Sequence, residues 1–126
     1  MTRRLLLVDD DAAFCESLAG ALRRRGFDVT AVLDAGAAAR SLQVEPPRYA
    51  LIDLRIGDAS GLALVAQAAA IEPPVRIVVL TAYASIATAV EAVKLGATHY
   101  LAKPAEVDDI VAALDRDAAG DASVPL

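Results

Sequence analysis

Five short apolar runs alternate along the chain with five stretches of helical periodicity, and this alternation restricts the fold more than any other feature. The runs cover residues 5–8, 27–32, 49–54, 76–81 and 99–102. Residues 5–8, Leu-Leu-Leu-Val, hold no polar side chain, the mark of a strand buried on both faces. The intervening helices are expected at 12–25, 35–42, 62–71, 85–95 and 105–117. Phe14, Leu18, Ala21 and Leu22 share one face of the first, and Gly26 stops it. Ile86, Ala89, Val90 and Val93 share a side of the fourth; Val107, Ile110, Val111 and Leu114 face inward from the fifth. Residues 57–61 are expected to be a loop. Strand–helix alternation of this kind gives an α/β fold, a five-stranded parallel doubly wound sheet with helices on both faces. In such a sheet, ligand chemistry gathers beyond the carboxyl ends of the strands.

What stands at those ends is unusual. Asp9, Asp10 and Asp11 follow the first run, Asp53 ends the third, Thr81 ends the fourth and Lys103 follows the fifth. Asp11 is expected to cap the next helix, and one helix needs only one such side chain. Carboxylates gathered without a cation repel one another. A hard divalent cation removes that penalty, and Mg²⁺ favours a few carboxylates, a carbonyl and waters. A carboxylate beside a metal serves as a nucleophile toward phosphorus. Lys103 offers a point charge to phosphoryl oxygens, and Thr81 a hydroxyl. Together these parts match phosphoryl transfer.

Bulk properties narrow the surroundings. With 126 residues the chain has the size of one domain, and it shows no internal repeat. A formal net charge of -5 does not suit direct nucleic-acid binding. The one cysteine, Cys15, excludes an internal disulfide and fits a reducing compartment. No apolar run reaches membrane-spanning length and the first residues do not read as a secretion signal, so the expected location is the cytoplasm.

The segments LLLVDDD, LIDLRIGDASGL, VVLTAY and YLAKPA, in that order, resemble the receiver domain of two-component response regulators. That resemblance implies a receiver over residues 1–118, with 119–126 a tail or the start of a linker. It implies Asp53 as phosphoacceptor from a sensor histidine kinase. Asp9, Asp10, Asp53 and the main-chain carbonyl of Arg55 would hold Mg²⁺. Thr81 and Tyr100 would form a switch pair, Lys103 would bind the phosphoryl group, and Lys103-Pro104 would be a place for a cis peptide. The protein would be a signalling element, catalysing only its own phosphorylation and dephosphorylation. The stretch TAYASIATAVEAVKLGATHYLAKPA further resembles redox-responsive global regulators of photosynthesis and respiration genes, which carry a linker and a DNA-binding output domain after the receiver. This sequence holds none, so it is either an excised receiver or a stand-alone one without DNA-binding output. Phosphorylation-dependent homodimerisation is a further expectation.

Several residues depart from the family pattern or have a plainer reading. Gly57 stands where many receivers have proline, which suggests a looser loop. Arg55 and Tyr83 border the path of an attacking water and are both bulky. Ser85 reads as a helix cap, Tyr100 equally as a half-buried core aromatic, Cys15 as a partly buried small residue and His99 as exposed. Arg23, Arg24 and Arg25 read as a solvated helix end. A flavodoxin-like cofactor-binding module shares the strand order, but Asp9–Asp11 would repel a flavin phosphate. A small-molecule phosphatase would want an acid where Arg55 stands. A receiver degenerated to a binding module would lack some of these groups, and all are present.

Overall fold

The structure, a computed structural model, describes residues 2–116. Its elements run β1 (Arg4–Val8), α1 (Ala12–Arg24), β2 (Asp28–Val32), α2 (Ala35–Val44), β3 (Tyr49–Ile52), β4 (Arg55–Ile56), β5 (Ala59–Ser60), α3 (Leu62–Ala69), β6 (Arg76–Thr81), α4 (Ile86–Lys94), β7 (His99–Ala102) and α5 (Val107–Asp115). Five strands pair in parallel in the order β2-β1-β3-β6-β7. The expected doubly wound sheet is therefore present. The expected end of the last helix at 117, and the boundary between 118 and 119, lie outside the described residues.

Side chains of a strand alternate between faces, so each strand feeds two layers. Leu6, Val8, Ala50, Ile52, Ile77 and Val79 pack with Ala38 and Leu42 of α2 and Val65 and Ala68 of α3. Leu5, Leu7, Leu51, Val78 and Leu80 pack with Leu18 and Leu22 of α1 and Ile110 and Leu114 of α5. Each such buried side chain is worth about 1.5–3 kcal/mol relative to exposure. Asp11, Asp34 and Ser85 cap α1, α2 and α4, and Ser85 forms a reciprocal capping box with Thr88.

Three expectations need correction, those for residues 57–61, His99 and Cys15. Residues 57–61 are not a loose loop: β4 and β5 form an antiparallel hairpin in which Ile56 pairs with Ala59. Its two-residue turn has Gly57 at φ 60 and Asp58 at negative φ, the sign pattern of a type II′ turn, which wants glycine first. The shared side of α4, whose direction periodicity left open, faces solvent: Ile86 is 86% exposed, and only Ala92 of this helix is buried. His99 is half-buried on β7, and Cys15 is fully buried. The arginine run is an exposed helix end, as expected, and it also makes contacts: Arg23 Nη2 donates to the Val29 carbonyl at 2.9 Å and Arg25 pairs with Asp108 of α5.

Candidate functional site

Main-chain bonds carry the parallel ladder one residue past the strand ends and so fix where the acids stand. Asp9 N–H donates to the Val32 carbonyl at 3.2 Å, Asp53 N–H to Val8 at 3.0 Å and Lys103 N–H to Thr81 at 2.9 Å. Gly61 matters equally. A Cβ there would lie 2.0 Å from the Asp53 carbonyl oxygen, so only glycine lets the start of α3 press against the chain at Asp53. The quoted GDASGL segment contains this glycine, but its spacing alone did not show what it touches.

The side chains then converge. Lys103 Nζ donates to Asp9 Oδ2 at 2.6 Å and to Asp53 Oδ2 at 3.2 Å, and it lies 4.1 Å from the centre of the Phe14 ring. Asp9 Oδ1 accepts the Asp11 N–H at 3.0 Å, and Asp53 Oδ1 accepts the Arg55 N–H at 3.2 Å. Asp9 and Asp53 are buried, whereas Asp10 is exposed and its Oδ2 accepts the Gly57 N–H at 2.8 Å. Burial pushes the Asp9 carboxyl above its ordinary value, against the pull of Lys103. Burial alone would lower the Lys103 ammonium, but its bond to Asp9 and the charges of Asp53 and Asp9 outweigh this and raise it. Cys15, whose Sγ donates to the Asp9 carbonyl, is pushed by burial to about 11, which leaves it an inert thiol at neutral pH.

These groups line a crevice of about 320 Å³, walled by Asp9, Asp10, Asp11, Asp53, Arg55, Gly57, Ala82, Tyr83 and Lys103. Four carboxylates against one ammonium and one guanidinium leave two negative charges in excess. Thr81 does not line it. Its side chain is fully buried, and its Oγ1 accepts the Tyr83 N–H at 3.1 Å. Tyr100 is half-buried; its hydroxyl shares a 2.6 Å hydrogen bond with Thr88 Oγ1 and accepts the Ser85 N–H at 3.3 Å, so it is tied to the start of α4. Arg55 reaches across the mouth, its guanidinium 4.8 Å from the Tyr83 ring centre. The Lys103-Pro104 peptide is cis, as the resemblance implied. Phe14, placed against Lys103, was read from sequence only as a core residue.

Residues 5–115 match the model of the response regulator receiver domain. The chain belongs to this receiver family. It is 49% identical over 112 residues to the acid tolerance regulatory protein ActR of Sinorhizobium medicae, a match covering 89% of this chain and 58% of ActR. To the photosynthetic apparatus regulatory protein RegA of Rhodobacter capsulatus it is 51% identical over 112 residues, covering 89% of the chain and 61% of RegA. The receiver thus spans about three fifths of the curated relatives it matches. A response regulator of Burkholderia pseudomallei, solved with a phosphorylated aspartic acid, a calcium ion and citrate, superposes with a TM-score of 0.87 at 45% identity, covering 92% of this chain and 68% of that one. The resemblance read from sequence to receivers of redox and photosynthesis regulators is thereby borne out.

The oxygen-only donor set and the excess negative charge fit a hard divalent cation. Among the described residues, no group of three or more His, Cys, Asp or Glu side chains is so placed that it could hold a metal ion in the arrangement seen. Among the described residues no helix is long and apolar enough to cross a membrane.

Proposed function

We propose that this receiver is a phosphorylation switch in which Asp53 takes a phosphoryl group from a phosphohistidine on a sensor kinase. A carboxylate oxygen of Asp53 forms the new P–O bond as the P–N bond to the imidazole breaks, and the imidazole leaves with a proton. Asp9, Asp10, Asp53 and the main-chain carbonyl of Arg55 would hold Mg²⁺, which when bound neutralises charge on the phosphoryl oxygens. Lys103 then follows the charge from the carboxylate to the phosphoryl oxygens, and Thr81 turns its hydroxyl toward them. Tyr100 responds, and with it α4, β7 and α5. The output is control of transcription through a further domain, or altered homodimerisation, in the cytoplasm. Turnover is limited to the receiver's own phosphorylation and dephosphorylation.

One observation carries this reading: an ammonium just past β7 bridges buried carboxylates just past β1 and β3 at 2.6 and 3.2 Å. A flavin-binding alternative fares worse, since the crevice that would receive the phosphate carries excess negative charge. The test is incubation with Mg²⁺ and acetyl phosphate, read by intact mass. Wild type should gain one phosphoryl group and Asp53→Ala none; equal labelling of both would defeat the assignment. The Arg55–Tyr83 pair over the mouth should slow water's approach. Arg55→Asn and Tyr83→Ala should each shorten the phosphoryl lifetime several-fold, and unchanged lifetimes would remove that role.

A further inference from the structure

The bond between Gly57 and Asp10 joins two parts of the chain 47 residues apart, and nothing in the fold alone demands it. Asp10 is exposed, so its carboxylate gains no stability from burial. Gly57 stands first in a two-residue hairpin turn, where a main-chain N–H is not used by the β4–β5 ladder, which pairs Arg55 with Ser60 and Ile56 with Ala59. That N–H is spent on Asp10 Oδ2 at 2.8 Å. A Cβ at Gly57 would meet nothing within 4 Å, so the glycine is not there for lack of space. Its φ of 60 is what aims the amide, and a proline at this position would have no N–H to give.

We propose that the main-chain amide of Gly57 is a positioning group for the divalent cation: it fixes Asp10 through Oδ2 and leaves Oδ1 to ligate. The inference rests on the metal reading given above. A hydrogen bond that orients a ligating carboxylate strengthens binding by removing the freedom it would otherwise lose, and such outer partners are typically worth roughly 10–100-fold in affinity. Because linkage is reciprocal, the cation should in turn steady the β4–β5 hairpin. The hairpin also walls a neighbouring cleft of about 360 Å³ lined by Leu54, Ser60, Leu62 and Thr88 among others, so the metal's presence would be felt outside the crevice.

The test uses the chain as it stands. Amide exchange followed by NMR should show Gly57 protected in wild type, more so with Mg²⁺, and unprotected in Asp10→Ala. Calorimetric titration with Mg²⁺ should show Gly57→Pro weakened about tenfold beyond Gly57→Asn, which keeps the N–H and, of the non-glycine residues, best tolerates positive φ. Equal loss in the two variants, or Gly57 exchange unaltered by Asp10→Ala, overturns the inference while leaving the metal site standing. Should Gly57→Pro fail to fold, the exchange comparison decides alone. Absence of Mg²⁺ binding to wild type would overturn the metal reading and this inference together.

Discussion

The two ends of the sheet hold a cation in similar company and to different purposes. At the amino end Arg3 lies 3.9 Å from the centre of the Phe27 ring and 5.3 Å from that of Tyr49, and pairs with Asp115 of α5. At the carboxyl end Lys103 lies 4.1 Å from the Phe14 ring and touches Asp9 and Asp53. The partners differ in burial. Asp115 is 49% exposed, whereas Asp9 and Asp53 are 3% and 5% exposed at their side chains. Water can replace Arg3 as the partner of Asp115. Nothing at hand but another cation can replace Lys103. The first contact fastens the last helix to the sheet; the second holds charge in a form that a phosphoryl group or metal can rearrange.

Removing each cation should expose the difference. Lys103→Met leaves two buried carboxylates uncompensated, a loss of about 3–5 kcal/mol in urea unfolding at neutral pH without divalent ions. Added Mg²⁺ should return part of it. Arg3→Met should lose only about 1 kcal/mol, the sum of an exposed pair and a ring contact. Equal losses would break the contrast.

Glycines sharpen it further. Gly61→Ala drives a methyl into the main chain at Asp53 and should cost about 3 kcal/mol, the upper part of the usual overpacking range, and disturb the crevice. Gly26, near the amino end at φ 93 with open space around it, should cost about 1–2 kcal/mol as alanine, from backbone strain alone, and leave phosphorylation intact. Thermal unfolding and acetyl phosphate labelling of the two variants would tell them apart.

The smallest effect is one of pH. Lys103 and Cys15 both hold their protons more tightly folded than unfolded, so their contributions are full at neutral pH. Stability should fall as pH rises past the ordinary thiol and ammonium values, the thiol's share being lost by about 11. Lys103→Met and Cys15→Ala should each flatten this alkaline slope, and an unaltered slope in both would refute it.

Much of the scaffold was readable because the residues announce it. Buried parallel strands leave runs such as Leu5 to Val8, and carboxylates at their ends have few structural excuses. What escaped notice had physical reasons. The hairpin strands Arg55–Ile56 and Ala59–Ser60 are too short to show a period of two. Periodicity reveals that α4 has an apolar stripe but not which way it faces, and α4 sits beside the edge strand β7, where cover is incomplete. Phe14 matters through Lys103, far along the chain, and Gly61 through a close approach to the main chain at Asp53, neither of which spacing displays.

The order in which the chain is made gives the Lys103 bridge a consequence of its own. Asp9 and Asp53 leave the ribosome before Lys103, which trails Asp53 by 50 residues. At usual synthesis rates that is a delay on the order of seconds. During it β1 and β3 can pair, yet docking them fully would entomb two like charges with no counterion. The nascent crevice must therefore stay wet, or borrow a cation from solution, until the last strand delivers its lysine.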